Sequence, residues 1–562
     1  MEDVHIPSFN LLIQQSLQKH WEQDALSDYG LQTSRYKDVA CTIAKLHVLY
    51  HNCGIQPGEK IALCGRNMSM WGMAFLSIIT YGAVAVPILH EFHPQQIHDI
   101  VNHCDARILF VGDMVWKKLC ADEMPNLMGI ISLDSKELLN SRSDELAFMY
   151  ANRQKLFCQQ YPQKFDSTNL AYHIDNANEL ALINYTSGTT SNSKGVLIPY
   201  RALWSNCDFA ATVMGSHFRE NDQMLSMLPL AHMYGMAFEF LFEITHGIHV
   251  HFLTRTASPT ILLKALADIR PRVLVMVPLI LEKVVRKAIL PKIQKTHIKI
   301  LLKSPFVGKR LKQHICNTLT KALGNNFYEV IIGGAALNQD IERLLHNIGF
   351  PYTVGYGATE CAPIICYENH QKLKLGSCGK SALHMRLEID SSDPEHIPGE
   401  VMTSGPNVML GYYKNEEATR QTLDSEGWYH TGDLGIIDKE GNIFIKGRIK
   451  NMLLGANGQN IYPEEIEDRL ANMPFVQECV VVQKSEKLYA LVYPDDEQIK
   501  AMNIPQDEIK NELEKMMEQN RQELNHQLPS YEALSGIRIV NEEFEKTPKK
   551  SIKRYLYANI EI

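Results

Sequence analysis

The sequence lacks the features that mark exported, zinc-binding or nucleic-acid-binding proteins. Its twelve cysteines include no C-x-x-C pair, so reduced thiols in a cytoplasmic protein are expected. A formal net charge of -8 gives no overall attraction for DNA or RNA. Met1–Ser8 contains acids and a proline in place of a basic segment followed by an apolar one, so no signal peptide is predicted.

One uncharged run must be judged as a membrane helix or as protein core. Asn67–Leu89 reaches the length of a membrane span, but glycines and a proline interrupt it. We therefore predict a buried helix over Met70–Thr80 and a buried strand over Ala83–Val86, with no transmembrane segment. Contact with a membrane surface is left open.

Length and pattern predict an α/β protein of more than one domain. The 562 residues exceed the usual size of one domain, and 45% hydrophobic and 21% charged residues are typical of globular proteins. Short apolar runs alternate with helical stretches, which indicates parallel sheets with covering helices. These runs are Lys60–Leu63, Arg107–Val111, Leu180–Ile183, Arg272–Val277 and Glu329–Ile332.

The pattern changes towards the C-terminus. After Pro398 short strands and glycine turns predict a small barrel-like subdomain. We therefore predict a large N-terminal domain of two parallel-type sheets plus this subdomain, residues 1–449, and a small α+β C-terminal domain, residues 450–562. Helices are expected to begin near Pro463 and to span Glu508–Gln527.

The segment Ile183–Gly195 is rich in hydroxyls and directly follows an apolar strand. Hydroxyls and free backbone N–H groups can donate to phosphates while Lys194 supplies positive charge. A P-loop has Gly before its lysine and Ser or Thr after it, whereas here Ser193 precedes Lys194 and Gly195 follows it. The segment is therefore not a P-loop. Taken alone, the segment could also be a flexible linker.

Four further segments decide between these readings. They are Tyr356–Glu360, Gly427–Gly435, Gly447–Lys450 and Gly458–Glu467. Together with the hydroxyl-rich loop, and in this order, they resemble the adenylate-forming superfamily of acyl-CoA synthetases, adenylation domains and firefly luciferase. The resemblance runs from about Asp38 to Arg554.

The resemblance implies activation of a small-molecule carboxylate with ATP and Mg²⁺, then transfer of the acyl group to a thiol such as coenzyme A. Mg²⁺ would be held by Thr186 and Glu360, whose oxygen atoms suit a hard ion. The phosphates would be bound by Thr186, Ser187, Gly188, Thr189, Thr190 and Lys194.

The same resemblance implies the nucleoside contacts. One wall of the adenine pocket would be the small-residue segment Gly334, Ala335 and Ala336. Tyr356 would stack on the adenine. The segment continues through Gly357 and Ala358 to Thr359, which would contact the α-phosphate. Asp433 would accept the ribose hydroxyls and Arg448 would reach the ribose or phosphate.

Acyl transfer is assigned to three further elements. Leu228–Gly235 would border the carboxylate, with His232 as a gate between the acyl site and the thiol channel. Lys450 would be the hinge about which a mobile C-terminal domain rotates. The loop Leu453–Gly458, including Gly458, would line the pantetheine tunnel. The apolar continuation Met236–Phe242 favours a medium- or long-chain fatty acid.

One family residue is displaced. The superfamily places a catalytic lysine three residues before an arginine, and here Ser551 occupies that position before Arg554. Lys550 is the nearest substitute, but a shift of one residue on an extended segment points a side chain to the opposite face.

Three functions therefore stay open. The leading hypothesis is an AMP-forming acyl-CoA synthetase. An enzyme that transfers the acyl group to the phosphopantetheine of an acyl carrier protein is the nearest rival. Without the family lysine, a nucleotide- or acyl-binding homologue of low activity is the third.

Overall fold

The computed structural model describes the greater part of the chain. The described residues are 5–186, 194–219, 222–254, 259–289, 293, 301–302, 304, 306–454, 459–485, 487–502, 504–546, 552–558 and 560.

The largest sheet has eight strands, and its centre is parallel. In spatial order the strands are Gly411–Tyr412, Lys194–Pro199, Leu180–Thr186, Val84–Ile88, Lys60–Cys64, Ile108–Val111, Gly129–Ser132 and Leu138–Ser141. The pairs from Leu180–Thr186 through Gly129–Ser132 are parallel, and the outer pairs are antiparallel. The central strands are buried and rich in Val and Ile, as a sheet covered on both faces requires.

Two smaller sheets are also mainly parallel. One has the strand order Gln223–Ser226, His249–Phe252, Asp24–Asp28 and Thr33–Arg35, of which only the last pair is antiparallel. The other is parallel throughout and consists of Val273–Met276, Glu329–Ile332 and Tyr352–Val354.

Helices occupy most of the connections between these strands. The α-helices before residue 449 are Phe9–Lys19, Tyr36–Asn52, Ser69–Tyr81, Pro94–His103, Asp113–Trp116, Asp144–Ala151, Arg153–Gln160, Tyr200–Met214, Met233–Met236, Phe242–His246, Pro259–Ile269, Pro278–Ala288, Val307–Ala322, Gln339–Ile348 and Glu416–Arg420. A π-helical turn, Ala237–Leu241, joins two of them. The 3₁₀ turns of this region are Ala121–Glu123, Ser167–Asn169, Gly215–His217 and Thr359–Cys361.

Antiparallel strands follow the parallel sheets. A three-stranded sheet contains Tyr356–Gly357, Ile364–Tyr367 and Lys380–Ser381. A four-stranded sheet has the order Arg386–Asp390, Gly399–Ser404, Tyr429–Ile437 and Ile443–Arg448. The 3₁₀ turn Ile449–Asn451 comes directly after its last strand.

The remaining elements form a unit with a hydrophobic core of its own, in which Ile466, Leu470, Ala490 and Leu524 are buried. Its strands are Leu453–Leu454, Asn460–Ile461, Val476–Lys484, Lys487–Pro494 and Leu534–Ile539. Its α-helices are Pro463–Leu470, Asp496–Ala501 and Gln506–Asn525, and its 3₁₀ turns are Ser530–Glu532 and Arg554–Leu556.

The α/β fold class is confirmed, and the observed elements follow the sequence pattern closely. The uncharged run forms the buried helix Ser69–Tyr81, which ends at Gly82 with φ +86°, and the strand Val84–Ile88. No helix in the described part of the chain is long and apolar enough to cross a membrane. The Arg272 N–H, just before strand Val273–Met276, donates to the Gln223 carbonyl at 3.2 Å, so the two smaller parallel-type sheets adjoin edge to edge. The division at residues 449 and 450 stays a prediction.

Candidate active site

The antiparallel pair Tyr429–Ile437 and Ile443–Arg448 places a carboxylate opposite a guanidinium. Asp433 and Arg448 are direct cross-strand partners, and Arg448 Nε lies 2.6 Å from Asp433 Oδ1. The hydroxyl of Tyr356 donates to Asp433 Oδ2 at 2.6 Å. Three residues that the sequence assigned to the nucleoside site are thus joined in one network.

Asp433 is 5% exposed, and its burial raises the pKa of the carboxyl group even though Arg448 and the Tyr356 hydroxyl oppose this shift. A carboxylate offers about four lone-pair sites, so the two observed partners do not exhaust it. The arrangement can therefore accept additional hydroxyl donors, as a ribose would require.

A second cluster gathers around Tyr412. Its hydroxyl donates to Glu360 Oε1 at 2.9 Å, and the ammonium of Lys194 lies 4.6 Å from the centre of its ring. Lys194 is the cross-strand partner of Thr186. Tyr412 thus links Glu360, a proposed Mg²⁺ ligand, to Lys194, the lysine assigned to the phosphates, although its own sequence context gave no sign of this.

These side chains suit Mg²⁺ by chemistry. A carboxylate and a hydroxyl are hard oxygen ligands, and Mg²⁺ usually takes one or two carboxylates together with substrate phosphates. In the described part of the chain no three His, Cys, Asp or Glu side chains are grouped as a metal site.

The small-residue segment after the strand Glu329–Ile332 is open on one side and closely packed on the other. Gly334, Ala335 and Ala336 are exposed, and Gly334 has φ +84°. A Cβ on Gly333 would lie 2.9 Å from the ring of Tyr234, whose hydroxyl donates to the Ile331 carbonyl at 3.1 Å. The segment can therefore lie against a flat ligand.

Gly357 meets a similar constraint, because a Cβ there would lie 2.3 Å from the Pro363 carbonyl oxygen. The Ala358 N–H donates to the same oxygen at 2.9 Å. Only glycine fits at position 357, which holds the backbone of Tyr356–Glu360 in place. Thr359 is buried within this segment.

Two asparagines hold the proposed acyl segment. Asn67 donates to the Leu228 carbonyl at 2.6 Å and accepts from the Leu230 N–H at 2.9 Å. Asn184 donates to the Ala231 carbonyl at 2.8 Å. His232 directly follows Ala231 in the chain, is half-buried and precedes the helix Met233–Met236. Asn184 lies on the strand that leads to Thr186, so the acyl segment and the phosphate loop share a support.

A buried pair of acids, which the sequence pattern did not indicate, lies beside this segment. Glu239 Oε2 accepts from the Met227 N–H at 3.0 Å, the Leu228 N–H at 2.9 Å and the Ser226 hydroxyl at 3.2 Å. Both Glu239 and Glu243 are fully buried. Their only sequence signal is that each interrupts an apolar run at helical spacing.

Neither oxygen of the Glu243 carboxyl group has a hydrogen-bond partner among the described residues. Burial raises its pKa from 4.5 to about 8, and burial likewise raises the pKa of Glu239. Charging Glu243 therefore opposes the folded state at neutral pH.

Helix Pro463–Leu470 makes polar contacts with residues on both sides of the predicted domain boundary. Asn451 Nδ2 donates to Glu464 Oε1 at 2.6 Å, and Lys446 Nζ lies 3.1 Å from Glu465 Oε1. Farther along the same helix, Asp468 Oδ1 accepts from Asn338 Nδ2 at 3.4 Å. These contacts place helix Pro463–Leu470 beside both the last strand of the four-stranded sheet and the adenine segment.

Lys450 is exposed within the turn Ile449–Asn451. On the C-terminal unit, Arg554 binds the half-buried carboxylate of Glu467 and lies 4.0 Å from Glu464. The arginine that follows the displaced lysine is thus anchored to helix Pro463–Leu470.

Comparison with known proteins decides the family. Residues 13–413 match the model of the AMP-binding enzyme, and residues 465–550 match that of the AMP-binding enzyme C-terminal domain. The chain belongs to the AMP-binding enzyme family. The resemblance stated from the motifs is confirmed, and with it the class of AMP-forming acid–thiol ligases.

Relatives within the family differ in the acid that their names specify. The chain is 26% identical over 462 residues to the chicken long-chain-fatty-acid–CoA ligase ACSBG2, a match that covers 77% of this chain and 59% of the relative. It is 28% identical over 393 residues to the 2-succinylbenzoate–CoA ligase of Bacillus cytotoxicus, a match that covers 68% of this chain and 71% of the relative.

A solved structure shows the same fold. The anthranilate CoA ligase AuaEII, in complex with anthranoyl-AMP, superposes with a TM-score of 0.76 at 20% identity, and the match covers 99% of this chain and 97% of the other. This likeness supports the fold and leaves the acid undetermined.

Six of the assigned residues lie in the two clusters above, and six others lie outside the described part of the chain. Thr186, Lys194, Glu360, Tyr356, Asp433 and Arg448 fall in the two clusters above. The assigned residues outside the described part are Ser187, Gly188, Thr189, Thr190, Gly458 and Lys550, and Ser551 also lies there. The roles of all these residues stay predictions.

The pH dependence of stability tests the buried acids. The folded-state pKa of Glu243 lies above its ordinary value. The stability that the protonated side chain gives the folded protein is therefore fully present below about pH 4.5 and is lost as the pH rises towards 8. Glu243→Gln keeps the shape of the protonated acid and does not titrate. We expect the variant's thermal midpoint minus that of wild type to increase by several degrees between pH 5 and pH 8. The corresponding gain in free energy of unfolding is a few kcal/mol, at about 1.4 kcal/mol per pKa unit.

Glu523→Gln, at an exposed position, is the control and should follow wild type at every pH. Parallel curves for Glu243→Gln and wild type would show that Glu243 is not protonated in the folded protein.

Proposed function

We propose that this protein activates a long-chain fatty acid with ATP and transfers the acyl group to coenzyme A. The observation that carries this proposal is the pair of clusters, Tyr356–Asp433–Arg448 and Glu360–Tyr412–Lys194, within a chain of the AMP-binding enzyme family. The long-chain acid is supported by the relatives named as long-chain-fatty-acid ligases and by the apolar continuation of the acyl segment.

The chemistry proceeds in two steps. The substrate carboxylate attacks the α-phosphorus of ATP and expels pyrophosphate, which forms an acyl-adenylate. The thiol then attacks the acyl carbonyl, forms a thioester and releases AMP. Both steps require that negative charge be stabilised where it develops.

Each cluster would serve one part of the nucleotide. Asp433 would accept the ribose hydroxyls, with Tyr356 and Arg448 keeping its carboxylate in position. Lys194 would balance phosphate charge, and Glu360 and Thr186 would hold Mg²⁺. When bound, that ion would neutralise charge on the leaving pyrophosphate.

The acyl group would lie beside Leu228–Gly235, where His232 would separate the acid from the thiol. Lys450 would allow the C-terminal domain to change its position between the two steps. Such a rotation would separate the Lys446–Glu465 and Asn338–Asp468 pairs, which are polar contacts of the kind found between movable domains.

Pyrophosphate release with a panel of acids tests the function. Long-chain fatty acids should give ATP-dependent pyrophosphate release and acyl-CoA, while 2-succinylbenzoate and anthranilate should give little of either. Product formation with acyl carrier protein in place of CoA would favour the carrier-protein alternative. Absence of pyrophosphate release with every acid would favour the low-activity binding homologue.

The two carboxylates should produce different kinetic defects. Glu360→Ala should lower kcat for adenylation and raise the Mg²⁺ concentration that is required, because a metal ligand is lost. Asp433→Ala should raise the KM for ATP by about ten- to a hundredfold for each ribose hydrogen bond that is lost, since a hydrogen bond to a charged acceptor is worth about 1.5–3 kcal/mol. Initial rates measured over a grid of ATP and Mg²⁺ concentrations separate the two effects.

Circular dichroism should show that both variants stay folded. An unchanged Mg²⁺ requirement in Glu360→Ala would contradict the metal role, and an unchanged KM for ATP in Asp433→Ala would contradict the ribose role.

The displaced lysine can be tested by half-reactions. If Lys550 replaces the family lysine, Lys550→Ala should lose most adenylation, while transfer from preformed acyl-adenylate to CoA should persist. Lys549→Ala and Lys553→Ala are neighbouring controls, and Lys553 pairs with Glu545 at 3.1 Å. These controls should change little, because single surface charges contribute little.

The complementary variant is Ser551→Lys, which places an ammonium at the family position. Full activity of Lys550→Ala together with faster adenylation by Ser551→Lys would show that position 551 is the decisive one. That result would identify the natural protein as a weakened ligase.

A further inference from the structure

A basic region without acids stands out in a chain of net charge -8. From Lys283 to Tyr328 the sequence has eleven lysine and arginine residues and no aspartate or glutamate. Such a local excess produces a positive field that the composition as a whole does not indicate.

Exposed apolar side chains adjoin described basic residues of this region. Phe306 is 85% exposed, more than any other large apolar side chain in the described part of the chain. Val307 is 49% exposed and Leu301 is 39% exposed. Lys309 and Arg310, in the first turn of helix Val307–Ala322, are exposed as well.

The local packing explains why these apolar groups point outwards. Leu302 and Leu311 pack against a hydrophobic cluster that includes Leu274, Leu319 and Val330, so they take the inward positions. A Cβ on Gly308 would lie 2.5 Å from the Leu302 carbonyl oxygen, which shows how closely the helix start rests on the preceding turn. Phe306 and Val307 are left on the outer side.

We propose that Leu301, Phe306, Val307, Lys309, Arg310 and Lys312 form a surface that docks on an anionic lipid membrane. We call these six residues the 301–312 surface. Cations attract anionic headgroups, and an aromatic side chain with two aliphatic neighbours inserts at the boundary between headgroups and acyl chains.

This occupant fits better than the alternatives. Nucleic acid would use the cations and could stack on Phe306, but the aliphatic Leu301 and Val307 would then stay in water. The proposed substrate is an amphiphile that partitions into lipid, so a docked enzyme would meet it there. That delivery role rests on the proposed function, whereas membrane binding does not.

Vesicle sedimentation tests the surface. The full-length protein should bind phosphatidylglycerol vesicles at low salt, bind phosphatidylcholine vesicles weakly, and dissociate as salt screens the charges. Phe306→Ser should lower partitioning about tenfold. Replacing Lys309, Arg310 and Lys312 together by Gln should lower it on the order of a hundredfold, at about fivefold for each charge.

Matched controls separate the surface from general charge and hydrophobicity. Phe148→Ser removes another exposed phenylalanine, 63% exposed. Replacing Lys117, Lys439 and Lys510 by Gln changes the net charge equally at exposed positions elsewhere. Both controls should bind vesicles as wild type does, and all variants should keep their thermal midpoint.

The proposal would be overturned if the wild type does not bind anionic vesicles, or if the surface variants bind vesicles as their controls do. It would also be overturned if the surface variants lose binding to a homopolymeric RNA but keep their binding to vesicles. Acyl-CoA formation from a cyclodextrin-delivered fatty acid is measured in parallel. Its failure would count against the proposed function, and vesicle binding would still decide the docking surface.

Discussion

The pairing of strands Tyr429–Ile437 and Ile443–Arg448 is the constraint on which the candidate site depends. It sets Asp433 opposite Arg448 and brings the carboxylate within reach of the Tyr356 hydroxyl. Arg448 is followed directly by the turn that carries Lys450. In the proposed function, rotation of the C-terminal unit about Lys450 would therefore be mechanically connected to the position of Arg448.

Burial of polar groups holds the acyl side of the site. Amide groups of Asn67 and Asn184 and the carboxyl group of Glu239 satisfy backbone atoms of residues 227–231. A loop that carries such bonds cannot shift freely, because each broken bond would leave a buried polar atom unpaired. The segment before His232 is therefore rigid by virtue of its neighbours, and not through its own sequence.

Charge is distributed unevenly over the molecule. Acids are buried near the acyl segment, where Glu239 and Glu243 are shielded from water, while the 301–312 surface presents cations beside apolar side chains. A negative protein can thus keep one face attractive to anionic lipid without attracting polyanions over its whole surface.

The sequence by itself determined the α/β class, four buried strands of the largest sheet and the family, because buried strands are continuous apolar runs and the motifs are local in the chain. It also supplied the identities of Asp433, Arg448, Tyr356 and Glu360. Only the tertiary structure showed that Tyr412 joins Glu360 to Lys194 and that Glu239 supports the acyl segment. These partners come from segments 11 to 218 residues apart, and the pairing of distant side chains depends on packing that no local pattern records.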